Sequence, residues 1–285
     1  MQPYDAGRWL LLAIVWSLQF LFLRMAVPVF GAAPVAAARA LFAALFLVPW
    51  VVYFARQRIG PLENWRDHLA VGVMNNLLPF GTYAYAALSL PAGYMAIING
   101  LVPLWAAVIA APVLGEPLGA RRAAGFVLGI AGVALIVNLG PVGLDAATLL
   151  GAAAAIAGTA FWGWAGVMIK QRYGRLHPMA LAAGSITFSS TLMAPLLALA
   201  PSPAAWTGEA AAAVLALGLL CTGLGYLPFF TLIRDIGPSR TLTVGLVVPV
   251  LGVLWGWLLL GEAVTWSMLA GAALVLAALS LVLRE

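Results

Sequence analysis

Charge and cysteine are what this chain has least of. Of its 285 residues 8% are charged, nine are acidic, two are histidine and one is cysteine, whereas an ordinary soluble domain devotes about 25% of its residues to charge. So small a polar supply cannot cover a water-facing surface, which excludes a soluble enzyme. The lone Cys221 excludes an intrachain disulfide, and no His/Cys/acid group has metal-ligand spacing. A GxxxxGK(S/T) phosphate loop is missing too, so this chain alone is no ATP-driven pump. No cofactor is expected, and no acid pair or histidine lies where an intramembrane enzyme would need one. The 14 Lys and Arg give a net charge of +5, but they are scattered singly or in twos and threes. A nucleic-acid face would need them gathered in a stripe with exposed aromatics; scattered cations suit loops beside anionic lipid headgroups.

What is abundant is apolar, at 64% of the chain. A hydrocarbon core of about 30 Å takes about 20 apolar residues in a helix, which satisfies its backbone polar groups internally. Ten such runs are legible, over residues 8–27, 33–55, 69–88, 91–114, 121–139, 147–170, 178–200, 210–233, 238–260 and 264–283. The longest polar interruption, Arg56 to His68, is too short for a soluble domain. The first run has no small-residue cleavage site after it and is expected to be retained rather than removed as a signal peptide. Ten crossings put both termini on one side, together with twelve of the fourteen cations, so that side is expected to be cytoplasmic. Trp9, Trp50, Trp65, Trp206 and Trp266 fall near span ends, where an indole anchors at the interface.

The sequence also repeats. Displaced by 146 positions, it superposes Trp16 on Trp162, Phe42 on Phe188, Pro49 on Pro195, Gly72 on Gly218, Pro103 on Pro249 and Leu114-Gly115-Glu116 on Leu260-Gly261-Glu262. The expected fold is therefore an all-α integral membrane protein of ten transmembrane helices in two five-helix units, residues 1–140 and 147–285. Because five is odd, the second unit enters from the opposite face, giving inverted repeats of the kind that underlie alternating access.

The duplicated halves, Trp16 and Trp162, Arg39 at the opening of the second span and the paired P…LGE ends of spans four and nine resemble the EamA-type branch of the drug/metabolite transporter superfamily. Among its members the chain is most similar to bacterial aromatic amino-acid exporters. That resemblance implies a ten-helix inner-membrane exporter with a central cavity lined by the first, third and fourth helices of each half, the fifth and tenth packing outside. Small molecules, aromatic or neutral amino acids foremost, and membrane lipid are the implied partners. Monomer and dimer both stay open.

Polar side chains in hydrocarbon need a partner, a cavity or a substrate. Gln19 lies three residues after Trp16, on nearly the same face. Asn76 and Tyr83 are seven apart, two helical turns, with Pro79 between them to free a carbonyl and bend the helix. Asn99 precedes Pro103 by four, so its carbonyl loses the usual helical donor. Trp162, Trp164, Thr222 and Tyr226 lie at comparable depth in the second half. The expected substrate-binding set is Gln19, Asn76, Tyr83, Asn99, Trp162 and Tyr226; the alternative for its amides is interhelical hydrogen bonding. Arg39 either meets backbone carbonyls or snorkels outward, with gating or anion steering as its functional alternative. Glu116 and Glu262, each after a helix-ending glycine, suit a helix N-terminus. Because no acid lies mid-span, proton antiport has no evident carrier. Gly125, Gly129, Gly132, Gly252 and Gly256 permit close helix approach, and His68 and His177 are expected in loops.

Overall fold

The computed structural model describes residues 3–60, 63–115, 119–139, 145–172, 175–201, 206–236, 241 and 244–283. Among the described residues the chain is all helix. Six helices are long and apolar enough to cross a membrane: Tyr4–Phe30, Ala32–Phe54, Ala92–Leu114, Ala146–Arg172, Pro178–Leu199 and Gly208–Leu232; Val244–Leu260 and Trp266–Val282 are shorter apolar helices.

In chain order the elements are α1 (Pro3–Phe30), α2 (Ala32–Pro49, continued by wide turns over Trp50–Phe54), α3 (Trp65–Gly72), α4 (Leu78–Ala86), α5 (Ala92–Asn99), α6 (Val102–Leu114) and α7 (Ala120–Leu139). They continue with α8 (Ala146–Arg172), α9 (Pro178–Met193), α10 (Gly208–Leu215), α11 (Gly225–Ile236), α12 (Val244–Leu260) and α13 (Trp266–Leu283). Two joints are π-helical: Val73–Leu77 links α3 to α4, and Ala216–Leu224 links α10 to α11. Each precedes a proline, Pro79 or Pro228, which cannot donate to the carbonyl four residues back, so the wide turn lies where the regular ladder is interrupted. Gly115 and Gly261, 146 positions apart, end α6 and α12 in the left-handed region at φ 68° and 66°, a conformation glycine adopts without a Cβ penalty.

Elements before residue 140 pack chiefly on elements after it. The N-terminal helix α1 lies against α10, α11 and α12; α2 against α9 and the 216–224 joint; α4 and α6 against α8; α5 against α12; and α7 against α13. The core is thus the seam between the two halves, filled by Phe20, Leu23, Leu47, Tyr83, Leu90, Tyr94, Ile97 and Ile98, all essentially without solvent exposure. Small residues set the spacing. A Cβ on Gly132 would fall 2.9 Å from the Gly271 carbonyl, so α7 and α13 meet backbone to backbone within one chain. Gly252 likewise faces Ala96 of α5, so these glycines serve internal packing.

Of the two histidines expected in loops, His177 lies in one and His68 does not. Trp65 starts a helix, so His68 belongs to α3 and is buried, its Nε2 3.0 Å from the Ile59 carbonyl and its ring stacked on Phe188. His177 is the N-cap of α9, its side chain accepting from the Met179 N–H. At the span ends Trp65, Trp206 and Trp266 are exposed, as interfacial anchoring requires.

Candidate functional site

A cavity of about 540 Å³ opens between the halves. Its inner wall is built from Trp16 and Gln19 of α1, Arg39 of α2, Asn75 of the first joint, Phe80 of α4, Asn99, Trp162 of α8, Cys221 of the second joint and Tyr226, Phe229 and Phe230 of α11. From there it runs outward past Ala106, Ala107 and Gly166 to Leu114, Arg122, Lys170 and Val282 at one end of the molecule.

The opposite end is shut. There Glu262, after the left-handed Gly261, accepts the N–H of Ala92 (2.8 Å) and of Gly93 (3.2 Å), while the guanidinium of Arg24 lies 3.8 Å from its carboxylate and donates to the Ala87 carbonyl at 2.9 Å. The expectation that this acid stabilises a helix N-terminus holds, but the helix is α5 of the other half. Carboxylates at a helix N-terminus satisfy amides that lack internal acceptors and oppose the positive end of the helix dipole. Its repeat mate Glu116 lies outside the described residues. Inward of this clasp, Tyr83 packs on Trp162 at 4.9 Å and on Phe20 at 5.8 Å between ring centroids.

The first joint explains how the asparagines are used. An α-helix would aim the N–H of residue 79 at the carbonyl of Asn75; proline has none, and Trp162 Nε1 donates to that carbonyl instead, at 2.9 Å. Asn75 Nδ2 donates to the Tyr226 hydroxyl at 2.9 Å, and the hydroxyl donates on to Asn76 Oδ1 at 2.8 Å. Asn76 Nδ2 in turn reaches Ser189 of α9 at 3.2 Å. A chain of bonds thus ties the first joint to α8, α9 and α11 around the cavity floor.

Gln19, Asn99, Trp162 and Tyr226 therefore come together on the cavity wall. Asn76 and Tyr83 do not: both are fully buried behind it, Asn76 on Ser189 and Tyr83 beneath Trp162. The seven-residue stripe assumes 3.6 residues per turn, and the π-helical joint inserts an extra residue that presents Asn75 in place of Asn76. Two consecutive asparagines immediately before a Leu-Leu-Pro break were the available signal. Trp164 is nearly half exposed and points away from the wall, as two residues' separation on a helix demands. The second helix also contributes to the wall, through Arg39.

Arg39 neither snorkels nor meets backbone carbonyls. At 4% exposure, about 10 Å along α2 from its start, its Nε donates to Thr222 Oγ1 and its Nη2 to Gln19 Oε1, each at 2.9 Å. The guanidinium lies 3.9 Å from the centroid of the Phe80 ring, a cation–π geometry. Among the described residues, buried Nη1 has no partner. Taking an ion of this size out of water costs several kcal/mol, and the groups that meet it among the described residues, Thr222, Gln19 and Phe80, are neutral.

One family matches the chain twice. The EamA-like transporter family aligns with residues 9–138 and again with 149–284. The chain belongs to this family. The transporter YoaV of Bacillus subtilis is 24% identical over 81% of this chain and 79% of its own length, and YvbV of the same organism 27% over 81% and 77%. A transporter of Archaeoglobus fulgidus is 23% identical over 98% of this chain and 99% of its own. One crystal structure superposes at a TM-score of 0.68 over 99% of this chain and 96% of that one, with 20% identity, a likeness of fold. The chain is accordingly a multi-pass membrane protein of a transporter family.

Proposed function

We propose that this EamA protein is a secondary or facilitative transporter, with ten crossings in two inverted five-helix repeats, that exports small amphipathic metabolites, aromatic or neutral amino acids foremost, by alternating access. The single observation that carries this reading is the cavity itself: shared between the halves, lined at one end and clasped shut at the other. The 146-residue offset supports the inverted arrangement, because it also relates contacts. Trp16 packs on Phe229 at 5.0 Å, and its mate Trp162 packs on Tyr83, the mate of Phe229, at 4.9 Å. The helix break after Asn99, at residues 100–101, and the two π-helical joints fall at the cavity, where transporters concentrate irregular backbone.

Aromatic walls give a substrate ring flat faces, worth about 0.5–1.5 kcal/mol per ring pair beyond area burial. Opening the closed end requires the Glu262 clasp to leave α5 as the halves rock, and the cations at the far end fit a cytoplasmic mouth.

Counterflow tests this directly. Proteoliposomes preloaded with phenylalanine or threonine are expected to accumulate the labelled compound transiently above the level of empty vesicles. A Cβ on Gly166 meets open space within the cavity wall, so Gly166→Trp is expected to fold normally and abolish counterflow. Transport through a correctly inserted Gly166→Trp protein would place the path elsewhere.

A further inference from the structure

We propose that Arg39 is the ligand-anchoring group of the cavity and that it binds the carboxylate of a small aromatic acid, so that the site selects for the anionic group and makes no demand for an ammonium. The proposal rests on the transport reading only in taking the cavity as the substrate's place; the chemistry comes from the guanidinium.

A guanidinium offers five N–H donors in a planar fork. Here two of its nitrogens, Nε and Nη2, donate to neutral oxygens, those of Thr222 and Gln19, and one face lies on Phe80. These contacts fix the group's orientation without neutralising its charge. The remaining nitrogen, Nη1, is buried, belongs to a residue of the cavity wall and has no partner among the described residues. A buried donor left without an acceptor is the costly state, and the acceptor that best fits a cation is an oxyanion. Among the described residues lining the cavity there is no Asp or Glu to take that role or to hold a substrate ammonium, whereas Arg122 and Lys170 stand at the mouth. One uncompensated positive charge in a low-dielectric wall is balanced by one negative charge, which favours a monocarboxylate over a phosphate monoester. Trp16 and Trp162 line the same cavity as Arg39, so an aromatic or similarly flat body completes the fit.

Free amino acids and their des-amino counterparts both carry this chemistry, and a matched series separates them. Purified full-length protein in lipid nanodiscs is titrated with 3-phenylpropionate, phenylalanine and 2-phenylethylamine, with binding read by thermal stabilisation and by tryptophan fluorescence. Phenylpropionate and phenylalanine are expected to bind, and the amine to bind at least about tenfold more weakly, in line with loss of a charge-assisted hydrogen bond. The ratio of the two acids identifies the source. Arg39→Gln is expected to lose at least about tenfold in affinity for both acids, and Arg39→Lys to lose less. Equal binding of amine and acids, failure of both acids to bind, or unchanged affinity in Arg39→Gln would overturn the proposal. The ligand series on the unaltered protein decides the matter even if the variant misfolds. Acid binding that requires Arg39 without any counterflow would remove the transport reading and leave this site standing; counterflow of phenylalanine that survives Arg39→Gln would do the reverse.

Discussion

The two halves of the molecule agree in skeleton and differ in chemistry. At positions 146 apart they share their aromatic supports, Trp16 with Trp162 and Phe80 with Tyr226, their left-handed Gly115 and Gly261, and a π-helical turn, although the proline after that turn, Pro79 or Pro228, is not at a matched position. The polar groups do not repeat. Gln19, Arg39, Asn75 and Asn76 correspond to Ala165, Ser185, Cys221 and Thr222. A common set of bends gives both halves the geometry to enclose a space, while one half supplies most of the groups that can bind something in it. Even matched aromatics divide the work: Phe80 seats the Arg39 guanidinium, and the Tyr226 hydroxyl bridges the asparagines.

The largest expected effect breaks that asymmetry. Arg39→Gln should reduce counterflow of aromatic acids at least about tenfold, whereas Ser185→Ala, at the matched position, removes only a hydroxyl bonded to its own helix at the Ala182 carbonyl and should leave counterflow within about twofold and stability within about 1 kcal/mol. Comparable losses from both would mean the halves contribute equally.

Next comes the clasp between halves. Glu262→Ala removes two amide acceptors from α5 and should cost about 1–2 kcal/mol of thermal stability, while making a cysteine placed at Ala92 more reactive to thiol reagents. An unchanged melting temperature and unchanged reactivity would show that the closed end is held by apolar packing alone.

Tyr226→Phe deletes the hydroxyl between Asn75 and Asn76 and should cost about 1 kcal/mol; Phe80→Tyr, its converse in the other half, has no asparagine pair to bridge and should not compensate in the double variant.

The smallest effect lies outside the membrane spans. Asp145 accepts the Thr148 N–H at 2.7 Å, and this bond holds its carboxyl below the usual carboxylate range. A depressed folded value means the stabilisation is present above the unfolded value and fades as pH falls through the folded one. Melting curves should therefore show a slight loss in acid that Asp145→Asn, still an N-cap, no longer displays.

Helix positions were legible in the sequence because a 20-residue apolar run has few alternatives in lipid. Trp162, Gln19, Asn99 and Tyr226 were legible as wall residues because each is a polar or amphipathic group where hydrocarbon tolerates few. What escaped the sequence was register. An extra residue in the turn at Val73–Leu77 exchanged Asn76 for Asn75 at the wall, and periodicity arguments assume such turns away. Arg39 escaped differently: its partners lie 20 and 183 residues off, so nothing local distinguishes a buried fork from a snorkelling one. Glu262 was legible as a cap, but which helix it caps depends on how the halves interlock.

The central claim is that one cavity opens to the two membrane faces in turn. A single cysteine at Ala107 on the cavity wall, in a Cys221→Ala background, can be challenged in oriented proteoliposomes with an impermeant maleimide from either face. The account predicts labelling from the Arg122 and Lys170 face at rest, labelling from the opposite face that rises when Glu262→Ala is added, and mutual exclusion of the two. Simultaneous access from both faces, or access from one face under every condition, would contradict it.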